Sequence, residues 1–513
     1  MLTKVFLIRA PRYVSALFGK HDSLMPPLAF LSLAAVLREN DLEVKIIDCS
    51  ASKIGWKSIR KIIEGQKPDI IGIGEETAFA HEGLRLAELA KEAAPHCKII
   101  AGGYCYSYME DDLLKNSAID LVVVGEGEVT FLELAKEMDK DDTNKDFSKI
   151  KGIRYKDKDG NIVKTSKREP IQDLDELPIP AYDLIDFDDY GIGKLWDKVA
   201  PIEHSRGCVN SCSFCILWKH FGTAKNKRIL SCYRTKSAER TAQEVEILLK
   251  RYRMKTLYWC DGAWNINGHW NREFSQKLVD DGLISNWWIY LNADLVPRDE
   301  KTGTFKKMID ASGQFNAVIG VERKEDIELN ALNKSYDQDD VAGCFEILKR
   351  YPSVWAVALY IVGIPDETEQ KIKEIVDHVQ LLNPDGLGLM PLEPEEGTDF
   401  SQGMSHLISS YDKDHYYDYL SRGIKMRYIT DKQLRKYIRK YSAKFWMPKI
   451  RWKDLFGRQN SIVHREMMKF GINATKAKIK DKIKRDLLGM PVPRYNYRCT
   501  YFGIARKPEW YDL

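Results

Sequence analysis

Short apolar runs alternate with helical patterns along the first 140 residues. The apolar runs are rich in β-branched residues, are bounded by turn residues and fall at Val5–Ile8, Val44–Ile47, Ile70–Ile73, Ile99–Ala101 and Leu121–Val124. This is the pattern of buried parallel strands. Helical periodicity between them, as at Leu28–Leu37 and Leu84–Ala90, completes five strand–helix units. We therefore predict an α/β chain that begins with a doubly wound, Rossmann-like domain over residues 1–140.

The loops after these strands are the place to look for a ligand, because doubly wound sheets bind ligands beyond the carboxyl ends of their strands. Glycine in such a loop lets the backbone approach a large planar ligand closely. The candidate ligand-binding residues are Pro27 after the first strand, Glu76 and Thr77 after the third, Gly102, Gly103 and Tyr104 after the fourth, and Gly125, Glu126 and Gly127 after the fifth.

Residues 141–198 are predicted to join two halves of the chain. Two short alternating runs flank Lys156–Asn161, which contains an Asp-Gly pair and predicts a hairpin turn. Pro170–Pro180 follows, and its prolines favour an extended linker.

From Ile202 onward the strand and helix patterns resume. Strand patterns follow at Leu257–Cys260, Trp287–Leu291, Ala317–Val321, Val354–Ile361 and Leu387–Leu392. Polar or turn residues end several of them, namely Asp261, Asn292, Asp294, Glu322 and the Gly363-Ile364-Pro365 turn. We predict a second α/β domain over residues 199–400 whose chemistry lies at these strand ends.

Three cysteines close together carry the most specific chemical signal. Cys208, Cys212 and Cys215 have the spacing C-x3-C-x2-C, with Phe214 just before the last one. Three thiolates on one loop can bind three irons of a cubane cluster and leave the fourth iron open to a ligand. A partial zinc knuckle or three unrelated buried thiols are the alternatives, although no second cysteine or histidine pair follows at zinc-ligand spacing.

This motif resembles that of the radical S-adenosylmethionine (SAM) superfamily. Together with Pro26–Leu37, the Gly102-Gly103 pair and the Gly125-Glu126-Gly127-Glu128 loop, the chain resembles the cobalamin-dependent radical SAM enzymes from about residue 4 to about residue 400. The resemblance implies a cobalamin-binding domain, a partial (β/α)6 barrel, a [4Fe–4S] cluster on the three cysteines, and SAM bound to the open iron.

The resemblance also implies roles for residues of the second domain. Asp261 stands where the family contacts the SAM amino group, Glu322 where it contacts SAM polar groups, and Gly363 and Ile364 where backbone groups bond the adenine. Phe214 and Asn292 complete the predicted cofactor-binding set. The chain departs from the family pattern at Gly262 after Asp261, and at Arg323-Lys324 after Glu322.

Two further departures concern the cobalt atom. The chain has no Asp-x-His-x-x-Gly run, so any cobalamin is expected to bind without a histidine below the cobalt. Where the family often has a histidine two residues beyond the Gly-Gly pair, this chain has Cys105. A buried neutral cysteine is the commoner state of such a residue, and a thiolate ligand is the alternative.

The composition is typical of a globular enzyme whose cysteines stay reduced. The 513 residues are 44% hydrophobic and 30% charged, with ten cysteines and no apolar run of membrane-spanning length. The sequence opens on a strand pattern without a signal-peptide cleavage site, so we expect a cytoplasmic protein.

Positive charge is concentrated towards the C-terminal end. We predict a basic helical domain over residues 401–513. Residues 422–513 contain 25 Lys and Arg against 7 Asp and Glu. Ile479, Ile483 and Leu487 recur at helical spacing among lysines, which favours peripheral membrane association or an anionic, lipid-like substrate. A helical cap docked on the acidic remainder is the alternative, and no motif indicates nucleic acid binding.

The resemblance predicts an enzyme that methylates an unactivated carbon of a small molecule, using an adenosyl radical and methylcobalamin, with a flavodoxin- or ferredoxin-type electron donor. A cyclase or carbon–carbon bond-forming enzyme, like the anaerobic magnesium-protoporphyrin ester cyclase, is the alternative within radical chemistry. A non-catalytic corrinoid-binding protein is the alternative outside it, and the three cysteines argue against it because such a protein needs no open iron.

Overall fold

The computed structural model describes residues 3–12, 25–75, 79–140, 145–191, 198–225, 228–408, 424–449, 497–500, 503–506 and 509–513. Within these ranges two large sheets carry most of the helices, and three short antiparallel pairs accompany them.

The first sheet has the predicted strands at the predicted places. Its elements are β1 (Lys4–Arg9), α1 (Leu28–Glu39), β2 (Glu43–Asp48), α2 (Trp56–Gln66), β3 (Ile70–Gly74), α3 (Ala80–Ala93), β4 (Lys98–Gly102), α4 (Gly103–Tyr108), α5 (Asp111–Lys115), β5 (Leu121–Val123), α6 (Gly127–Met138), β6 (Ile153–Lys156) and β7 (Ile162–Lys164). The order is β2-β1-β3-β4-β5-β6-β7, parallel from β2 to β5, with the predicted hairpin β6–β7 antiparallel at the edge. Strand order reverses between β1 and β3, which is where doubly wound sheets bind ligands.

Both faces of this sheet are buried because successive side chains of a strand point to opposite sides. In β1, Val5 and Leu7 pack with α1 and α6, whereas Phe6 and Ile8 pack with α2 and α3. The near-continuous apolar sequence of the strand follows from this two-sided burial.

The second sheet contains six parallel strands and matches the predicted partial barrel. Its elements are β8 (Val199–Ile202), β9 (Ser205–Gly207), α7 (Leu217–His220), β10 (Thr223–Lys225), β11 (Arg228–Leu230), β12 (Tyr233–Thr235), α8 (Ala238–Glu246), β13 (Thr256–Trp259), α9 (Gly268–Asp280), β14 (Ser285–Leu291), α10 (Val296–Lys301), α11 (Thr304–Asp310), β15 (Ser312–Glu322), α12 (Asp326–Ala331), α13 (Gln338–Leu348), β16 (Val354–Val362), α14 (Glu369–Leu382), β17 (Gly386–Pro391) and α15 (Asp399–Gly403). The order β17-β16-β15-β14-β13-β8 leaves the barrel open between its two edge strands within the described residues.

One apolar core joins the two sheets. The face of the first sheet that packs with α1 continues through Ala181, Tyr182 and Phe187 of the linker into the helix-covered outer face of the barrel. Tyr182 also donates its hydroxyl to the Pro201 carbonyl of β8, at 3.2 Å. The linker is therefore packed between the two domains, which fixes the cavity between them.

The described part of the C-terminal region contains α16 (Asp431–Lys449) and the hairpin β18 (Tyr497–Thr500) to β19 (Gly503–Arg506). Helix α16 docks on α14 through ion pairs of Lys440 with Glu369 (2.6 Å) and of Lys444 with Asp377 (3.0 Å). These contacts of α16 are those expected of a helical cap docked on the rest of the chain, which the sequence analysis gave as the alternative to membrane association. The predicted amphipathic segment around Ile479, Ile483 and Leu487 lies outside the described residues.

None of the helices in the described ranges combines the length and apolar character needed to cross a membrane.

Candidate active site

A cavity of about 480 Å³ lies between the carboxyl ends of the first sheet and the start of the barrel. Both domains line it. The first domain contributes the loops after its strands, and the barrel contributes the ends of β8 and β13, strand β9 and helix α7. The predicted residues that line it are Pro27, Gly102, Gly103, Tyr104, Gly125, Glu126 and Gly127. Glu76 and Thr77 lie outside the described residues.

Glycines give the first-domain wall its flat shape. A Cβ at Gly72 would lie 2.6 Å from Leu7 Cδ2, and one at Gly74 would lie 2.9 Å from Phe30 Cε1. Gly103 differs, because it has φ +86° and no heavy atom within 4 Å of where its Cβ would stand. The space beside the backbone is thus open at Gly103, whereas the Leu7 and Phe30 side chains pack against Gly72 and Gly74.

Cys105 belongs to the core of the first domain. It is buried in α4 among side chains on the α2–α3 face of the sheet and is not among the residues that line the cavity. Burial raises the pKa of its thiol well above the usual value. The structure therefore favours the neutral core cysteine over a metal ligand.

The three-cysteine loop begins directly after β9. Cys212 is buried, and Cys208 and Cys215 are partly buried. Burial raises the pKa of all three thiols, that of Cys215 to about 12, and the negative charge of Cys208 contributes to the shift at both other cysteines.

The donor set of the loop fits an iron–sulfur cluster. In a cubane each thiolate binds a different iron, and the three thiols of the loop provide one ligand for each of three irons.

A short segment after α12 holds the cysteine loop. The Ser213 amide donates to the Leu332 carbonyl (2.9 Å), and Asn333 Nδ2 donates to the Ser211 carbonyl (2.7 Å). Asn333 has φ +55°, in the left-handed region that asparagine tolerates. Phe214 and Ile364, both predicted cofactor-binding residues, pack on one apolar cluster that includes Leu332.

Asp261 follows β13 and is 4% exposed. Its Oδ1 accepts from the Ser205 amide and the Ser205 hydroxyl, both at 2.6 Å, and lies 2.9 Å from His204 Nδ1. Its Oδ2 is buried without a hydrogen-bond partner among the described residues. One Asp261 oxygen thus fixes the start of β9, the strand that leads into the cysteine loop.

Glu322 ends β15 beside an irregularity in the pairing with β16, and it has φ +64°. A non-glycine residue in this region is strained, which is typical of functional positions. Its carboxylate is paired with Lys334 at 3.0 Å, and the Lys334 ammonium lies 5.9 Å from the centre of the Phe214 ring. Lys334 is not predicted from the sequence, because no motif marks it.

The departure at Arg323 has a structural explanation. The Arg323 guanidinium, which is 1% exposed, bonds Glu367 Oε2 at 3.0 Å and the Ile361 carbonyl at 2.9 Å. The same Glu367 oxygen accepts from the Gly363 amide at 2.9 Å. Arg323 therefore fixes the Gly363-Ile364-Pro365 turn.

Asn292 lies at the carboxyl end of β14. Its backbone amide and carbonyl are both bonded by the Asn265 side chain, at 2.8 and 3.1 Å. Asn292 therefore stands on the same edge of the barrel as Asp261 and Glu322, as the strand pattern predicts.

Comparisons with known proteins decide the family. Residues 14–135 match the B12 binding domain, and residues 202–379 match the radical SAM superfamily. The chain is a cobalamin-dependent radical SAM enzyme. Its cofactors are a [4Fe–4S] cluster, SAM and cobalamin, as the sequence predicts.

Among its relatives is an uncharacterised methyltransferase of Pyrococcus horikoshii, 27% identical over 90% of this chain and 96% of the relative. The anaerobic magnesium-protoporphyrin IX monomethyl ester cyclase of Rubrivivax gelatinosus is 27% identical over 76% of this chain and 68% of the cyclase.

Two solved structures share the fold. The radical SAM methyltransferase TsrM of Kitasatospora setae, with cobalamin and a [4Fe–4S] cluster bound, has a TM-score of 0.63 at 16% identity and covers 81% of both chains. The cobalamin-dependent radical enzyme OxsB, with aqua-cobalamin and SAM bound, has a TM-score of 0.66 at 15% identity over 95% of this chain and 76% of OxsB. At these identities the likeness establishes the fold alone.

The residues of this chain fit the cobalamin that the family implies. A corrin ring with a nucleotide tail needs a flat, largely apolar slot, and the glycine-lined wall with Leu7, Phe30 and Phe131 offers one. The open space over Gly103 is where a planar ring has room to lie.

Proposed function

We propose that this enzyme methylates an unactivated carbon of a small molecule. The observation that carries the proposal is the single cavity lined on one side by the glycine-rich loops and on the other by the strand that leads into Cys208. When bound, the cofactors supply abstraction of a hydrogen atom from the substrate carbon and delivery of a methyl group to it. A cavity between the two domains lets one carbon be exposed to both activities.

We propose that Cys208, Cys212 and Cys215 hold the cluster and that the carboxyl edge of the barrel holds SAM. SAM is a cation with an ammonium group, and carboxylates are suitable partners for it. The buried Oδ2 of Asp261 is available for such a donor. Glu322, Asn292, Phe214 and the Gly363-Ile364 turn complete the site.

The walls of the cavity exclude water from the substrate carbon. On the barrel side the lining includes Leu217, Phe221, Tyr258 and Cys260. Exclusion of water prevents side reactions of reactive intermediates. The charged residues of the lining are four glutamates, Glu75, Glu126, Glu128 and Glu203, against Arg9 and Arg206. We infer that this excess of carboxylates disfavours anionic groups inside the cavity, so any anionic group of the substrate stays outside it.

A cyclase function is the second candidate, and the similarity to the magnesium-protoporphyrin ester cyclase is what favours it. The proposal includes an electron donor of flavodoxin or ferredoxin type, because the chemistry needs single electrons. Peripheral membrane association rests on the charge of residues 422–513 and on the helical spacing of Ile479, Ile483 and Leu487.

Product analysis tests the proposal. The reconstituted enzyme is incubated without oxygen with SAM, a reductant and cell extract, and products are compared by mass spectrometry with a reaction of the Cys212→Ala variant. A product heavier by one methylene unit supports methylation. A product lighter by two hydrogens would contradict methylation and indicate cyclisation or coupling instead.

A further inference from the structure

Arg206 lies two residues before Cys208, and its guanidinium reaches across to the first domain. It donates to Glu128 Oε1 at 2.7 Å and to Glu126 Oε1 at 3.1 Å, both in the glycine-rich loop that lines the cavity. It also donates to Glu203 Oε1 of its own domain at 2.7 Å. The Arg206 side chain is 6% exposed, so these charged hydrogen bonds are shielded from water.

A second arginine strengthens the connection. Arg234 of β12 lies directly opposite Arg206 in the antiparallel pair of β12 with β9. Its guanidinium contacts Glu126 Oε2 at 3.0 Å and bonds the Ile171 carbonyl of the linker. The Ile171 amide in turn donates to Glu126 Oε2 at 2.6 Å. Glu126 is therefore held from the barrel and from the linker at once.

The backbone between Arg206 and the first cysteine has little freedom to move. Gly207 has φ +88°, and a Cβ there would lie 1.8 Å from the Cys232 carbonyl oxygen. Asp261 fixes the preceding residue, Ser205, through its amide and hydroxyl. A displacement of the Arg206 guanidinium is thus transmitted to the start of the cysteine loop.

Stability alone does not explain this network. Buried ion pairs contribute little net stability, because desolvation of the charges offsets their attraction. Burial opposes ionisation of Glu128, yet the charge and hydrogen bond of Arg206 lower the Glu128 pKa overall. What the forked, planar guanidinium adds is a fixed geometry between carboxylates of one domain and a strand of the other.

We propose that Arg206 is a positioning residue that sets the distance between the cobalamin-binding loop and the cluster-binding loop. The role rests on the proposed function, since it matters when one substrate carbon must meet both cofactors. This role explains why Glu126, predicted as a cofactor-binding residue, forms ion pairs with two arginines although it lines the cavity.

Hydrogen exchange on the cofactor-free chain tests the coupling without any activity. In Arg206→Gln we expect amides of residues 125–131 and of residues 205–216 to exchange together, roughly tenfold faster than in the wild-type chain. Arg206→Lys should behave similarly, because the compact ammonium lacks the planar fork that holds the three carboxylates in a fixed geometry. Arg60→Gln, which removes an exposed arginine paired with Glu92, is the matched control. Faster exchange confined to residues 205–207, with residues 125–131 unchanged, would overturn the proposal.

Pulsed electron paramagnetic resonance on the protein loaded with cob(II)alamin and reduced cluster gives the second readout. We expect a narrow cobalt–cluster distance distribution in the wild-type protein and a broadened one in Arg206→Gln, and an equally narrow one would count against the proposal. If Arg206→Gln does not fold, Glu128→Gln should show the same changes to a smaller extent. A wild-type protein that takes up no cobalamin would refute the proposed function, whereas the exchange result would still decide the role of Arg206.

Discussion

The two walls of the cavity are built in opposite ways. The first-domain wall includes glycines that carry no side chain, and at Gly103 the space beside the backbone is open. The barrel wall is formed by side chains such as Arg206 and Cys260, and it adjoins the cysteine loop and the buried Asp261, whose Oδ1 is held by Ser205. A bulky ligand can thus be accommodated where side chains are absent, whereas a cluster and a cationic ligand require particular side-chain atoms at particular places.

The largest expected effect is on the barrel side. Cys208→Ala, Cys212→Ala and Cys215→Ala should each reduce SAM cleavage to below about 1% of the wild-type rate, because a cubane with two thiolates is under-ligated. Cleavage is measured as 5′-deoxyadenosine after anaerobic reconstitution. Cys97→Ala, which removes a buried core thiol of the first domain, is the control and should retain the cluster. Full cleavage by any of the three loop variants would contradict their assigned role.

The corresponding change on the glycine side adds atoms instead of removing them. Gly103→Trp should fill the open space and weaken cobalamin binding by roughly a thousandfold, or about 4 kcal/mol. Binding is followed by the visible spectrum of the bound corrin. Gly282→Trp, at an exposed glycine that also has a positive φ (+66°) and nothing within 4 Å of its Cβ position, is the control. Equal cobalamin uptake by both variants would place the corrin elsewhere.

A third test asks whether Glu322 and Lys334, at the carboxyl edge of the barrel, act as a pair. Lys334→Met leaves Glu322 buried without its partner, and such a loss destabilises a protein by about 3 kcal/mol. We expect a lower midpoint of denaturant unfolding and weaker SAM binding. Glu322→Gln combined with Lys334→Met should recover much of the stability, while Lys324→Met, at a more exposed neighbour, should change little. No recovery in the double variant would show that the two residues act independently.

The smallest expected effect concerns His220, where the two walls meet. Burial, with the nearby Lys167 and Arg206, lowers the pKa of its imidazole to about 3. The unfolded chain binds this proton below pH 6.5 and the folded chain does not, so stability is present above pH 6.5 and is lost as pH falls. At pH 5 the wild-type protein should have lost about 2 kcal/mol that His220→Phe does not lose. Unfolding midpoints at pH 7 and pH 5 measure the difference, with the exposed His269→Asn as control.

Sequence pattern predicted most of the fold because buried parallel strands have a simple signature. The five parallel strands of the first sheet, β1 to β5, and the barrel strands β13 to β17 overlap the apolar runs that predict them, and β8 ends at Ile202, where the pattern resumes. The pattern also identified the cysteine loop and the glycine-rich loops, since both are contiguous in sequence.

Contacts between distant segments could not be predicted in this way. Lys334 meets Glu322 only because the chain returns after α12, and Arg206 meets Glu126 and Glu128 only because the two domains pack together. Neither lysine nor arginine forms a motif with its partners along the chain. Arg323 had the appearance of a departure from the family, and its role became visible only through its contact with Glu367.

The most direct test of the central claim follows the methyl group of SAM. Anaerobic enzyme loaded with cluster and cobalamin is incubated with methyl-labelled SAM and a reductant, and both the protein-bound corrin and 5′-deoxyadenosine are analysed. If the two cofactors share one cavity, the wild-type protein should transfer label to the corrin and also form 5′-deoxyadenosine, Gly103→Trp should do only the latter, and Cys212→Ala should not form 5′-deoxyadenosine. Formation of 5′-deoxyadenosine by the wild-type protein without any label on bound cobalamin would contradict the account.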